Sequence, residues 1–135
     1  VTLITWNSML SVGVKEIDDQ HKKLVEMANQ LNDAMREGHG RDVLGKTLNE
    51  LVHYTQYHFA TEERLMDRHH YPESAAHKAQ HADLVRSIAA FKAKFDQGDV
   101  ALTSQIMNFL RDWLNSHIMK TDKQFGKALN GLGVK

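Results

Sequence analysis

Four long apolar stripes at helical spacing run through this chain, and each is interrupted by histidine or carboxylate where leucine is expected. The first stripe is Ile17, His21, Leu24, Ala28, Leu31, Met35, in steps of 4, 3, 4, 3, 4, the 3.5-residue seam of a helix bundle. The second is Leu44, Leu48, Leu51, Thr55, His58, Glu62, Leu65, and the third is His77, His81, Leu84, Ile88, Phe91, Phe95. One proline and eight glycines give little punctuation, so the stripes read as long helices over about 18–37, 41–68, 73–95 and 100–129. Asp18 is the expected N-cap of the first helix, Gly38 and Gly40 its stop. Gly98 ends the third helix, and Asp99 is placed to cap the fourth. Short loops favour antiparallel neighbours. The expected fold is all-α, an up-down-up-down four-helix bundle over 18–130 with residues 1–17 as an extended arm across it, in a single domain spanning 1–135.

The fourth segment carries two stripes that are out of phase: Leu102, Ile106, Phe109, Trp113, then Ile118, Asp122, Phe125, Leu129. His117 and Asp122 are five residues apart, roughly 140° of rotation in a regular α-helix, so they would not face one point. A widened, π-type turn between them removes both anomalies, and such turns cluster at functional sites.

Seven titratable groups thus fall on or beside the core stripes: His21, His58, Glu62, His77, His81, His117 and Asp122. A lone seam histidine is more often a hydrogen-bonded core residue. Seven at one level of a bundle are costly unless something binds them. His58 and Glu62, and His77 and His81, are i,i+4 pairs that each present two ligands to one centre. Imidazole suits iron, zinc, copper and nickel, and carboxylates bridge ions well. Five imidazoles with two carboxylates exceed the needs of one zinc ion and suggest two metals linked by both carboxylates.

Composition excludes much else. The absence of cysteine removes disulfides, thiolate sites and thiol nucleophiles. Seventeen basic residues balance seventeen acidic ones, so no charge footprint points to nucleic acid or an anionic membrane. No apolar run approaches the roughly 20 residues of a membrane span, and no secretory signal is visible, so a cytoplasmic location is expected.

The motifs Ile17-Asp18-Asp19-Gln20-His21, His58-Phe59-Ala60-Thr61-Glu62, His77-Lys78-Ala79-Gln80-His81 and His117-Ile118-Met119-Lys120-Thr121-Asp122 resemble those of the hemerythrin family. The resemblance covers nearly the whole chain, including the arm segment Ser11-Val12-Gly13-Val14. It implies a non-haem di-iron centre that binds O₂ reversibly, moving between a diferrous deoxy form and a diferric, peroxide-bound form. It assigns one iron to His77, His81 and His117 and the other to His21 and His58, with an open position on the latter. Glu62 and Asp122 would bridge, together with an oxo or hydroxo group. Apolar residues around the open position correspond to Leu24, Phe59, Trp113, Leu114 and Ile118. The histidine-rich set favours binding over oxidation, since ferritin-like di-iron enzymes use mostly carboxylates. Here Glu50 and His53 form the one Glu-x-x-His motif, and they fall largely off the stripe.

The expected function is therefore O₂ carriage, storage or delivery by a monomer that is not an enzyme. The alternatives are a sensor of O₂, redox state or nitric oxide, and a di-iron peroxidase-like enzyme. Gln20, Gln56, Glu63 or backbone carbonyls are the candidate acceptors for the metal-bound imidazoles. Without metal, the imidazoles are expected to be largely protonated and mutually repulsive at pH 5–6. His39, His53, His69 and His70 read as solvated.

Overall fold

The computed structural model describes residues 4–38, 41–98 and 102–135, with the side chains of 41, 102 and 103 outside the description. A 3₁₀ turn, Ser8–Leu10, precedes α1 (Lys15–Arg36), α2 (Arg41–Arg68) and α3 (Ser74–Asp96). The last segment runs as α4 (Leu102–Ser116), a π-helical stretch (His117–Asp122) and α5 (Lys123–Gly131). Contacts join α1 to α2, α2 to α3, α3 to α4 and α4 back to α1. The fold is an all-α, up-down-up-down four-helix bundle. The expected caps at Gly40 and Asp99, the start of the fourth helix at 100, and the solvated reading of His39 lie outside the described residues.

The bundle has two chemically distinct ends. At one, Leu31, Met35, Leu44, Leu48, Phe95, Ile106 and Met107 surround a small apolar cavity. At the other, the same four helices bury His21, His58, Glu62, His77, His81, His117 and Asp122. Leu48 and His58 are ten residues apart on α2, about 15 Å along the axis at 1.5 Å per residue.

Three sequence expectations need correction. The first helix begins at Lys15 with Val14 as its N-cap, and no side chain caps it. Asp18, expected as the cap, lies inside the first turn. Its Oδ2 accepts the Ser11 hydroxyl at 2.6 Å and its Oδ1 the Val12 N–H at 2.8 Å. A carboxylate there complements the positive helix end and ties the arm to the bundle. On α4 the buried face is Ile106, Met107, Leu110 and Leu114, while Phe109 and Trp113 are half-buried. The two aromatics flank the core instead, Phe109 against Phe91 and Trp113 against His117. On α2, Met66, one turn beyond Glu62, takes the fully buried place expected of Leu65.

The arm lies across the bundle as expected. Asn29 and the Ile4 backbone exchange two hydrogen bonds, at 2.9 and 2.8 Å. Leu10, Val12 and Val14 are buried, and Asn130 Nδ2 donates to the Gly13 carbonyl at 3.0 Å. Gly13, at φ +82°, makes the bend that brings Val12 onto α5. Gly126 is the floor of that contact, since a Cβ on it would meet the Val12 carbonyl oxygen at 2.1 Å.

Gly126→Ala therefore forces backbone apart. We expect a loss of about 1–3 kcal/mol, as for overpacking. Gly131→Ala, where an added Cβ meets nothing, serves as the control and should cost none. Urea melts of both variants check this, and equal stability of the two would mean the arm yields freely.

Candidate metal centre

Each of the four bundle helices contributes to the buried polar end. His21 sits near the start of α1, His58 and Glu62 one turn apart on α2, and His77 and His81 one turn apart in the first half of α3. His117 opens the π-helical stretch and Asp122 closes it. The wider π turn brings these two, five residues apart, to one face, as the sequence anomaly predicts. All seven side chains are 3% exposed or less.

The two carboxylates divide the imidazoles between them. Glu62 Oε1 lies 3.1 Å from His81 Nε2 and 3.8 Å from His77 Nε2. Its other oxygen, Oε2, lies 3.6 Å from His58 Nε2 and 3.7 Å from His21 Nε2. Asp122 repeats the pattern, with Oδ1 at 2.8 Å from His77 Nε2 and 3.1 Å from His117 Nε2. Its Oδ2 is 3.0 Å from His21 Nε2. Two overlapping groups able to hold a metal ion result: Glu62, His77, His81, His117 and Asp122, and His21, His58, Glu62 and Asp122. The shared members are the two carboxylates.

The interior leaves these atoms unsatisfied. Both oxygens of Glu62 and of Asp122, and Nε2 of His21, His58 and His81, are buried without a hydrogen-bond partner. Buried polar atoms in this state each cost about 1–3 kcal/mol. They all point at one another, which is the arrangement cations would satisfy. The donor set therefore fits two transition-metal ions.

A second ring of contacts fixes the imidazoles. His58 Nδ1 is 2.7 Å from Gln20 Oε1, His81 Nδ1 is 3.0 Å from Glu63 Oε2, and His117 Nδ1 is 2.9 Å from Gln80 Oε1. An acceptor at Nδ1 places the proton there and leaves Nε2 a lone-pair donor. Gln20 and Glu63 were candidates from sequence, whereas Gln56 is exposed. Gln80 was missed. It also accepts the Thr121 hydroxyl at 2.9 Å, so one amide on α3 holds both ends of the π-helical stretch. Its signal in the sequence was its place beside His81 and one turn from His77. Thr61, also missed, accepts from Gln20 Nε2 at 3.3 Å.

Aromatic rings complete the walls. Phe59 stacks on His81 at 3.7 Å and 3°, and Trp113 on His117 at 4.2 Å and 15°. Both expected pocket aromatics thus cover the three-histidine group. Leu24, Leu114 and Ile118 are buried within one turn of His21 or His117. Of the histidines expected outside the site, His53 and His70 are exposed and His69 is half-buried.

Burial, reinforced by neighbouring imidazoles, lowers the pKa of His58 to about 3 and that of His81 to about 2. Burial and the adjacent Asp122 carboxylate push the Glu62 carboxyl well above the usual range. Burial also pushes Asp122 upward, but His117, His21 and His77 against its oxygens outweigh it and hold it well below. The expectation that the metal-free imidazoles protonate at pH 5–6 is therefore overturned for His58 and His81, which the interior keeps neutral.

The sign of the pH dependence follows. Unfolded histidine titrates near 6.5, so below about pH 6.5 the unfolded chain takes up protons that folded His58 and His81 refuse. Their contribution is complete above about 6.5 and is lost as pH falls toward 3. Glu62 acts oppositely: its raised pKa favours the fold at low pH and penalises it as pH rises through that value. The metal-free protein should melt progressively earlier from about pH 7 to about pH 5. Glu62→Gln, which cannot ionise, should raise the metal-free melting temperature at about pH 8, because it leaves no buried carboxylate to desolvate. The same substitution should weaken metal retention. A metal-free variant no more stable than wild type at that pH would contradict the Glu62 assignment.

Comparison with known proteins agrees with this geometry. Residues 12–129 match the family model described as the hemerythrin HHE cation binding domain. The chain is 38% identical to bacteriohemerythrin of Methylococcus capsulatus (strain Bath), over 96% of this chain and 99% of that one. It is 34% identical to bacteriohemerythrin of Stenotrophomonas maltophilia, over 93% and 80% of the two chains. A crystal structure of wild-type hemerythrin superposes with a TM-score of 0.86 at 39% identity, covering 93% of this chain and 96% of the other. The hemerythrin family binds a di-iron centre, and the buried cluster here is able to hold metal ions. On sequence, fold and donor set together, the chain belongs to the hemerythrin family.

Proposed function

We propose that this protein binds O₂ reversibly, for carriage, storage or delivery, as a binding protein and not as an enzyme. The carrying observation is the division of oxygens at the centre. Each carboxylate offers one oxygen to the His77, His81 and His117 side and the other to the His21 side, the latter shared with His58 through Glu62. On this reading Glu62 and Asp122 would serve both of two irons, one that would be held by His77, His81 and His117 and the other by His21 and His58. The first position has five protein donors and the second four. The second, with fewer protein donors, is the one at which O₂ would bind. When bound, the irons would supply the electrons that O₂ takes up and returns, between diferrous and diferric forms.

The protein's part is to keep the open side dry and the ligands fixed. His21 is 1% exposed, and Leu24, one turn on, is also 1% exposed. Ile118 and Leu114, at 2% and 5%, flank His117 from the fourth segment. We assign these three side chains to the wall of the open position. Water and protons there would promote loss of the bound oxygen in reduced form, leaving the irons oxidised. Phe59 and Trp113, stacked on His81 and His117, exclude water from the other iron. Among the described residues no helix is long and apolar enough to cross a membrane.

Metal analysis of iron-grown protein should return two irons per chain, and one ion per chain would refute the two-metal assignment. Leu114→Ala opens the wall and should cost about 2–5 kcal/mol, with faster autoxidation of the oxygenated form. Leu48→Ala, at the far end beside the apolar cavity, should cost a similar amount and leave the autoxidation rate near wild type. Equal acceleration in both variants would mean that global loosening, not local dryness, limits the lifetime of bound O₂.

A further inference from the structure

The two metal positions are not supported alike. In the three-histidine group, His81 and His117 are each gripped from two directions, by a stacked aromatic ring and by an acceptor at Nδ1. In the two-histidine group, His58 has the Gln20 amide and no stacked ring; one histidine in each group, His21 and His77, lacks an acceptor at Nδ1 among the described residues, so the difference rests on His81 and His117. The acceptors also differ in kind. Gln20 and Gln80 are neutral amides, and Glu63, on His81, is a carboxylate. Lys78, beside it in the same surface groove, has its ammonium 2.7 Å from Asp67 instead. The Glu63 side chain is 34% exposed, so solvent bears part of its charge.

A charged acceptor makes a stronger hydrogen bond than a neutral one and raises the basicity of the imidazole it holds. His81 is thus both the most firmly oriented ring and the best electron donor of the three with acceptors. Its Nε2 points at Glu62 Oε1, 3.1 Å away, the oxygen that belongs to the three-histidine side. Resting on the two-metal reading above, we infer that Glu63 is a positioning residue that makes the three-histidine position the tighter of the two, so that it is the last to lose its ion. Phe59, at 3.7 Å and 3° across the ring, fixes the plane in which Glu63 acts.

The test uses the full chain loaded with cobalt(II), which takes imidazole and carboxylate donors and is followed by its visible absorption. Titration with a competing chelator should remove the two ions in separate steps. Anomalous scattering from crystals stripped of one equivalent should place the remaining ion on His77, His81 and His117. Glu63→Gln, which keeps the shape and the acceptor but not the charge, should weaken the retained ion about tenfold or more and leave the earlier step unchanged. Gln20→Glu should tighten the earlier step, moving the two closer together. The inference is overturned if the remaining ion sits on His21 and His58, if both ions leave together, or if Glu63→Gln alters neither step or both equally. A wild-type protein that takes up one ion at saturation would instead contradict the two-metal reading itself.

Discussion

The buried carboxylates of Glu62 and Asp122 are the constraint around which the bundle is built. Four carboxylate oxygens sit in the interior with no hydrogen-bond partner, facing imidazole nitrogens in the same condition. At about 1–3 kcal/mol for each such atom, the set rivals the whole net stability of a small domain, about 5–15 kcal/mol. Apolar packing elsewhere has to carry this end. It does so through the opposite half, where Leu31, Leu48, Phe95, Ile106 and Met107 close an apolar core, and through the arm, whose Val12 packs on Gly126 of α5. Ions bound between the carboxylates would remove the cost, so the fold and the site share one energetic origin.

The electrostatics of the seven clustered side chains follow from the same burial. Burial disfavours protons on His58 and His81, and with the neighbouring Asp122 carboxylate it pushes the Glu62 carboxyl well above its usual range. His58 and His81 are thus held toward the neutral form that a metal requires, and an ion bound at Glu62 would compete with its proton. Preparation for metal is therefore a property of the apolar surroundings as much as of the ligands. Gln20, Glu63 and Gln80 add orientation to that preparation, each by accepting at Nδ1 and leaving Nε2 turned inward.

Much of this was legible in the sequence because the seven clustered His, Glu and Asp residues occupy core positions of strongly periodic helices. A histidine where the seam calls for leucine is visible without a structure. The π-helical stretch was legible for a related reason: Ile118, Asp122, Phe125 and Leu129 are out of phase with the stripe before them, and all four are buried. What the sequence hid was direction rather than burial. Asp18 looked like a cap, yet it binds the arm, because the arm returns across the first turn of α1. Phe59 and Trp113 were expected around the open position beside His21 and His58, yet their rings stack on His81 and His117, because which histidines a ring covers depends on side-chain orientation. Gln80 was hidden because its partners, His117 and Thr121, are about 40 residues away on another helix.

Reversible O₂ binding at a two-iron centre held by these side chains is the proposed function. The most direct measurement is the visible and resonance Raman spectrum of the anaerobically reduced, iron-loaded protein through a cycle of air and argon. The account predicts a nearly colourless reduced form, new oxygen-dependent absorption and an oxygen–oxygen vibration in air, and return to the starting spectrum under argon. An air-exposed spectrum identical to the reduced one, or one that never returns, would contradict it.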